Sequence, residues 1–170
     1  MRIARYPAIL LKKGDEVLLG LNKKGFSKNK WTLFGGFLQR KETLLDAAIR
    51  YLKEQSGITV EKAEKIGKIE VKFGGVQELI QIHVFLAETF TGEPIETREV
   101  LPKWFNLGEL PISEMWSDVP FWFDQVAGGK RVKAFFIYEN ETLLYQDVDS
   151  PPPPPPLQPT IQQPTAVSPV

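Results

Sequence analysis

The chain has no cysteine among its 170 residues, which excludes a disulfide framework, a thiolate metal site and a thiol nucleophile. It has one histidine, His83, so a multi-histidine metal centre is excluded too. Neither sign of charge is in excess. Lys and Arg number 21, Asp and Glu number 21, and the formal net charge is zero. Nucleic-acid binders usually carry a basic surplus, so no nucleic-acid partner is expected. Long apolar runs are missing as well. Ala8 to Leu11 is too short for a membrane span or the apolar part of a signal peptide. No membrane partner is expected, and a cytoplasmic monomer is the reading that remains.

What is present divides at Ser150. Residues 1–149 are long enough to bury the core of one domain. Residues 150–170 (SPPPPPPLQPTIQQPTAVSPV) have no apolar periodicity and read as a disordered proline-rich tail. Pro151 to Pro156 is expected to be polyproline II. It fits a solvated spacer or, as an alternative, an arm that docks in an SH3- or WW-like groove.

Within the domain, Arg5 to Lys13 and Glu16 to Leu21 read as strands joined by a turn at Lys13-Gly14-Asp15. A basic loop, Asn22 to Ser27, follows. Val60 to Phe73 holds a strand that Gly74-Gly75 ends, and Leu79 to Thr89 (LIQIHVFLAET) alternates clearly. Phe90 to Glu99 is a turn-rich loop and Leu101 to Leu107 a short strand. Pro111 to Val126 reads as a second helix, and Lys130 to Tyr138 with Glu141 to Asp147 as a closing hairpin. The expected order is ββ-α-ββ-β-α-ββ, with the helices on the two faces of a mixed sheet. Trp31, Trp104 and Trp122 are taken as core, and His83 as structural.

The chain is organised around Trp31 to Ile58, WTLFGGFLQRKETLLDAAIRYLKEQSGI. Thr43 stands at an N-cap position with Asp46 three residues on, the capping-box spacing. Leu45, Ala48, Ile49 and Leu52 fall on one helical face, and Gly57 suits a left-handed stop. Gly36, five residues, Glu42, seven residues, then Arg50-Tyr51-Leu52-Lys53-Glu54-Gln55-Ser56-Gly57-Ile58 resembles the Nudix box in its complete spacing. Further stretches (LLGLNKKGF, W-x-x-FGG, IHVF, P-x-WF-x-L, MW-x-D-x-x-x-WF) look like the oxidised purine nucleoside triphosphate hydrolases of that family. The likeness spans Arg5 to Asp147.

The resemblance implies an α/β/α sandwich, Mg2+ as cofactor, and hydrolysis of a nucleoside triphosphate to monophosphate and pyrophosphate, as in nucleotide-pool sanitation. Attack on a phosphate chain concentrates negative charge, which magnesium bound by carboxylates neutralises. Positions i, i+3 and i+4 of a helix share a face, and here they are Tyr51, Glu54 and Gln55. The family pattern has three glutamates there. Tyr51 brings an uncharged phenol and Gln55 a carbonyl oxygen without charge, so Glu54 is the carboxylate that remains.

By the resemblance, Glu54, Arg50 and Glu42 carry catalysis, with Glu42 paired to Arg50 to brace the loop. Glu54, Gln55 and Glu99 are the metal candidates; Glu99 also reads as a solvated loop charge. Gly35 and Gly36 form the phosphate loop. Lys23, Phe26, Thr32, Phe73, Trp116 and Asp118 are the substrate-binding candidates, with Trp116 at the base-stacking position. Thr32 and Val119 replace an asparagine and an aspartate of the pattern. Asp118 reads as a base reader or as the N-cap of a helix starting at Val119-Pro120. Phe73 reads as pocket wall or core. The expectation is a Nudix-type hydrolase of oxidised purine nucleoside triphosphates, weakened or altered in specificity. The alternative is a non-catalytic module that binds a nucleotide or a protein.

Overall fold

The structure, a computed structural model, describes residues 1–149, so the readings of the proline tail lie outside the described residues. In chain order it contains β1 (Arg2–Lys13), β2 (Glu16–Asn22), β3 (Trp31–Thr32), β4 (Phe34–Gly35), α1 (Leu44–Ser56), β5 (Glu64–Phe73), β6 (Glu78–Ala87), β7 (Val100–Asn106), α2 (Phe123–Ala127), β8 (Val132–Glu139) and β9 (Thr142–Asp149).

One mixed sheet runs β3-β2-β1-β6-β5-β8-β9, with β4 added on β1 and β7 on β2. The β1–β6 and β5–β8 pairs are parallel and the others antiparallel. Burial on both faces is why β1 and β2 read as continuous apolar runs rather than alternating ones. On β1, Ile9 and Leu11 pack toward α1 with Leu52 and Phe85, while Leu10 packs on the opposite side with Ile69, Phe123 and Phe136. Helices on both faces give the α/β/α layering that the resemblance implied.

Helix α1 forms where its local signals place it. Thr43 is extended, and its Oγ accepts from Asp46 N at 3.0 Å. Gly57 closes the helix at φ 80°, with its N–H on Lys53 O at 2.9 Å. Ala47, Ala48, Leu52 and Ser56 are buried, with Leu45 and Ile49 half-buried at the flank. Thr43→Ala removes the cap and is expected to cost about 1 kcal/mol, read as a lower midpoint in urea with an unchanged slope. An unchanged midpoint would mean that the packed face alone holds this end.

The second helix is corrected. Pro111 to Val126 is not one helix but two single 3-10 turns, Ile112–Glu114 and Val119–Phe121, before the five-residue α2. Met115 between them is extended (φ −124°, ψ 164°). Pro120 has no N–H to give a helical bond, which suits a first turn and not the middle of a long helix.

Candidate active site

The glycine loop lies against α1 through contacts that cross the chain. Gly35 sits in β4 against Ala8 of β1, so close that a Cβ there would run into the Pro7 carbonyl and Ala8 Cα. The Gln55 side chain binds this strand at both ends of its amide. Oε1 accepts from Gly35 N at 3.1 Å, and Nε2 donates to Gly35 O at 3.0 Å. Gly36 is covered by the Tyr51 ring, which occupies the space a Cβ would need. The Tyr51 hydroxyl donates to Phe37 O at 2.7 Å. Tyr51 and Gln55 thus fasten helix to loop.

Arg50 and Glu42 make the brace that the sequence suggests. Arg50 Nε and Nη2 reach the two Glu42 oxygens at 3.0 and 2.7 Å. This two-pronged bond holds the Glu42 carboxyl below the usual carboxylate range and raises the guanidinium's already high pKa. Glu42 also accepts from Gln39 N at 2.9 Å, which ties the loop to the helix a second time. Glu54, mostly exposed, lies 3.2 Å from Arg50 Nη1. The Arg50 guanidinium stacks 4.2 Å from the Tyr51 ring centre.

These residues do not fit a magnesium cage. Glu54 faces Arg50, the Gln55 oxygen is held by Gly35 N, and Glu99 pairs with Lys24 at 3.4 Å. Among the described residues, no three His, Asp or Glu side chains gather where they could hold a metal ion. Lys23 does not stand free either. Its Nζ is paired with Glu96 and donates to Thr97 O at 2.7 Å.

The base-side candidates, by contrast, come together. Phe26 lies nearly parallel to Trp116, with centroids 5.2 Å apart and planes 13° from parallel. Phe73 meets both edge-on, at 5.0 and 5.8 Å. Phe73 also packs on the core, which bears out its core reading. Trp116 Nε1 donates to Ser27 Oγ at 2.9 Å, and Lys30 Nζ sits 4.9 Å from the Trp116 ring. Thr32 Oγ1 accepts from Asn22 Nδ2 at 2.8 Å and donates to Leu33 O at 3.0 Å.

Asp118 stands at the N-cap position of the Val119–Phe121 turn, but it is buried and its side chain makes no capping bond, which corrects that part of the capping reading. Its carboxyl instead accepts from Tyr138 Oη at 2.5 Å and Trp122 Nε1 at 2.8 Å. The backbone reaches helical dihedrals at Asp118 itself (φ −77°, ψ −22°), unlike the extended residue that a side-chain cap requires. Burial pushes the carboxyl pKa up, and the two donors oppose that rise.

Sequence reasoning missed Ser27, Lys30 and Tyr138. Tyr138 had a readable signal. It follows Val132, Ala134 and Phe136 on the buried phase of an alternating strand, and a buried phenol needs a hydrogen-bond partner. Ser27 and Lys30 lie in a loop, where no periodicity reports facing.

Comparison with known proteins agrees with this architecture. A family model described as the NUDIX domain matches residues 1–124. An oxidized purine nucleoside triphosphate hydrolase of Danio rerio is 39% identical over 138 residues, covering 81% of this chain and 88% of its own. The Mus musculus protein of the same name is 35% identical over 149 residues, covering 85% and 96%. A MutT protein from Bacillus halodurans superposes with a TM-score of 0.77 at 22% identity, over 86% of this chain and 97% of its own, a likeness of fold. With its glycine loop braced to a capped helix, its two-faced mixed sheet and these matches, the chain belongs to the Nudix family.

Proposed function

We propose that this Nudix protein, with residues 1–149 as the domain and 150–170 as a tail, binds nucleotides in the Phe26–Phe73–Trp116 pocket. It hydrolyses nucleoside triphosphates to monophosphate and pyrophosphate only weakly. The observation that carries this reading is Gln55, whose amide is consumed at both ends by Gly35. With Tyr51 over Gly36, the helix face that the family equips with three carboxylates offers Glu54 alone. An enzyme gains most from charge placed where the transition state needs it, and most of that charge is gone here. The rings of Phe26, Phe73 and Trp116, by contrast, lie in contact with one another, and a base stacked on them needs no metal.

In this reading Arg50 and Glu42 hold the loop in register, and Glu54 is the one charged group at the metal face. Of the two loop charges, each already paired, Lys23 is the candidate for a phosphate and Glu99 for a metal ion. Pyrophosphate release from a panel of normal and oxidised purine triphosphates with magnesium tests the proposal. The expected result is turnover below about 1 s−1, the lower edge of common enzyme rates, with no strong preference for the oxidised bases. Fast turnover confined to oxidised purines would sink it. Binding without any release would make the protein a non-catalytic nucleotide-binding module.

A further inference from the structure

The polar groups around the aromatic pocket are already committed to one another. Ser27 Oγ serves Trp116, Thr32 Oγ1 is bonded on both its donor and acceptor sides, and Val119 brings no polar group. Asp118 is a buried carboxylate beside these rings, 6% exposed, whereas Glu141, paired with Lys30 over the Trp116 ring, is exposed. Tyr138 grips Asp118 twice. The phenol donates to Oδ1 at 2.5 Å and accepts from Asp118 N at 2.8 Å. Trp122 Nε1 takes Oδ2 at 2.8 Å.

The phenol reaches Asp118 from the aromatic cluster. The fully buried Tyr138 ring stacks on Phe73 at 5.3 Å and meets Trp116 edge-on at 5.4 Å. A free carboxylate in that place would read a purine edge. Oxidation of guanine at carbon 8 turns N7 from an acceptor into an N–H donor. An ionised carboxylate binds the donor and repels the acceptor lone pair. With each oxygen already holding a donor from within the protein and the carboxyl 6% exposed, no lone pair is left open to a base, and that difference goes unread. The ring faces remain, and stacking on them tolerates any base.

We propose that Tyr138 is a specificity-determining residue: its hydroxyl takes Asp118 out of base reading, so the rings hold a purine nucleotide by stacking, whatever its oxidation state. This rests on the nucleotide-pocket reading above. Tyr138 acts by positioning Asp118, and its removal is expected to create a discrimination that the parent chain does not have.

The test is calorimetric titration of the full chain with GMP and 8-oxo-GMP, monophosphates that hold no diphosphate bond to cleave. The parent is expected to bind both with affinities within about threefold, a gap of under 1 kcal/mol. Tyr138→Phe is expected to move the ratio at least about tenfold toward 8-oxo-GMP, in the range that one buried hydrogen bond commands. A purely structural role would weaken both ligands alike and leave the ratio in place. Asp118→Asn, with Tyr138 kept, is expected to leave the parent's ratio unchanged, and this arm does not depend on the Tyr138 variant folding. Binding with a ratio unmoved by Tyr138→Phe overturns the inference alone, as does a parent preference for 8-oxo-GMP that Asp118→Asn abolishes. No heat from either nucleotide with any of the three proteins overturns the pocket reading, and the inference with it.

Discussion

The double variant Tyr51→Glu/Gln55→Glu is expected to release pyrophosphate from nucleoside triphosphates at least about tenfold faster than the parent chain, since even partners behind the metal ligands change affinity or activity about 10–100-fold. Each substitution undoes a particular contact. Glutamate at 55 keeps an acceptor for Gly35 N but has no donor for Gly35 O, so its second oxygen is repelled from the strand it now clasps. Glutamate at 51 withdraws the ring from Gly36 and the hydroxyl from Phe37 O. Together they add two negative charges, at i and i+4, beside Glu54 on one helical face.

The two changes are coupled, because both side chains hold α1 to the same loop. Gln55→Glu alone leaves the Tyr51 ring over Gly36, and Tyr51→Glu alone leaves the Gln55 amide on Gly35. Each single variant should therefore gain less than its share of the double variant's rate. The loop contacts given up are expected to lower the melting temperature, while Arg50 and Glu42 keep loop and helix together. A parent chain as fast as the double variant would show that the missing charge is not what limits turnover. The same would follow if the single variants multiplied to the double value while the double stayed slow.

How much could be read from the sequence depends on how local the physics is. Helix α1 was readable from end to end because Thr43, the apolar stripe and Gly57 act within a few residues of one another. The β1 and β2 runs were readable because burial on both faces leaves an unbroken apolar string. The stretch from Pro111 to Val126 misled because its apolar spacing suits a helix, while Pro111 and Pro120 divide the backbone into short turns. The site was legible in position and not in use. That Tyr51 and Gln55 bring no carboxylate is visible in the letters. That Gln55 has become a clasp on a residue 20 positions away is not. Tyr138 and Asp118 are likewise 20 positions apart, in different elements, and only the fold brings them to 2.5 Å.

His83 should make the fold sensitive to acid. It lies on β6 between Pro7 of β1 and Lys68 of β5, 5% exposed. Its Nε2 donates to Gln81 Oε1 at 2.7 Å, and Gln81 in turn donates to Glu70. Nδ1 is buried with no partner among the described residues, so a second proton there has nothing to bond to. Burial first, then the charges of Lys65, Lys68 and Arg5, push its pKa down from 6.5 to about 4, against a smaller opposing pull from Glu70. The folded state therefore refuses a proton that the unfolded chain accepts. Its contribution is fully present above pH 6.5, declines as pH falls, and is lost near pH 4. At about 1.4 kcal/mol per pKa unit, the loss across that window is about 3 kcal/mol. His83→Gln keeps an amide donor toward Gln81 and cannot titrate. Urea unfolding at pH 7 and at pH 4.5 checks the point: the parent should lose about 2–3 kcal/mol more than the variant between the two. Equal losses would place the acid sensitivity elsewhere, in carboxylates such as Glu42 whose bonds to Arg50 fail when they protonate.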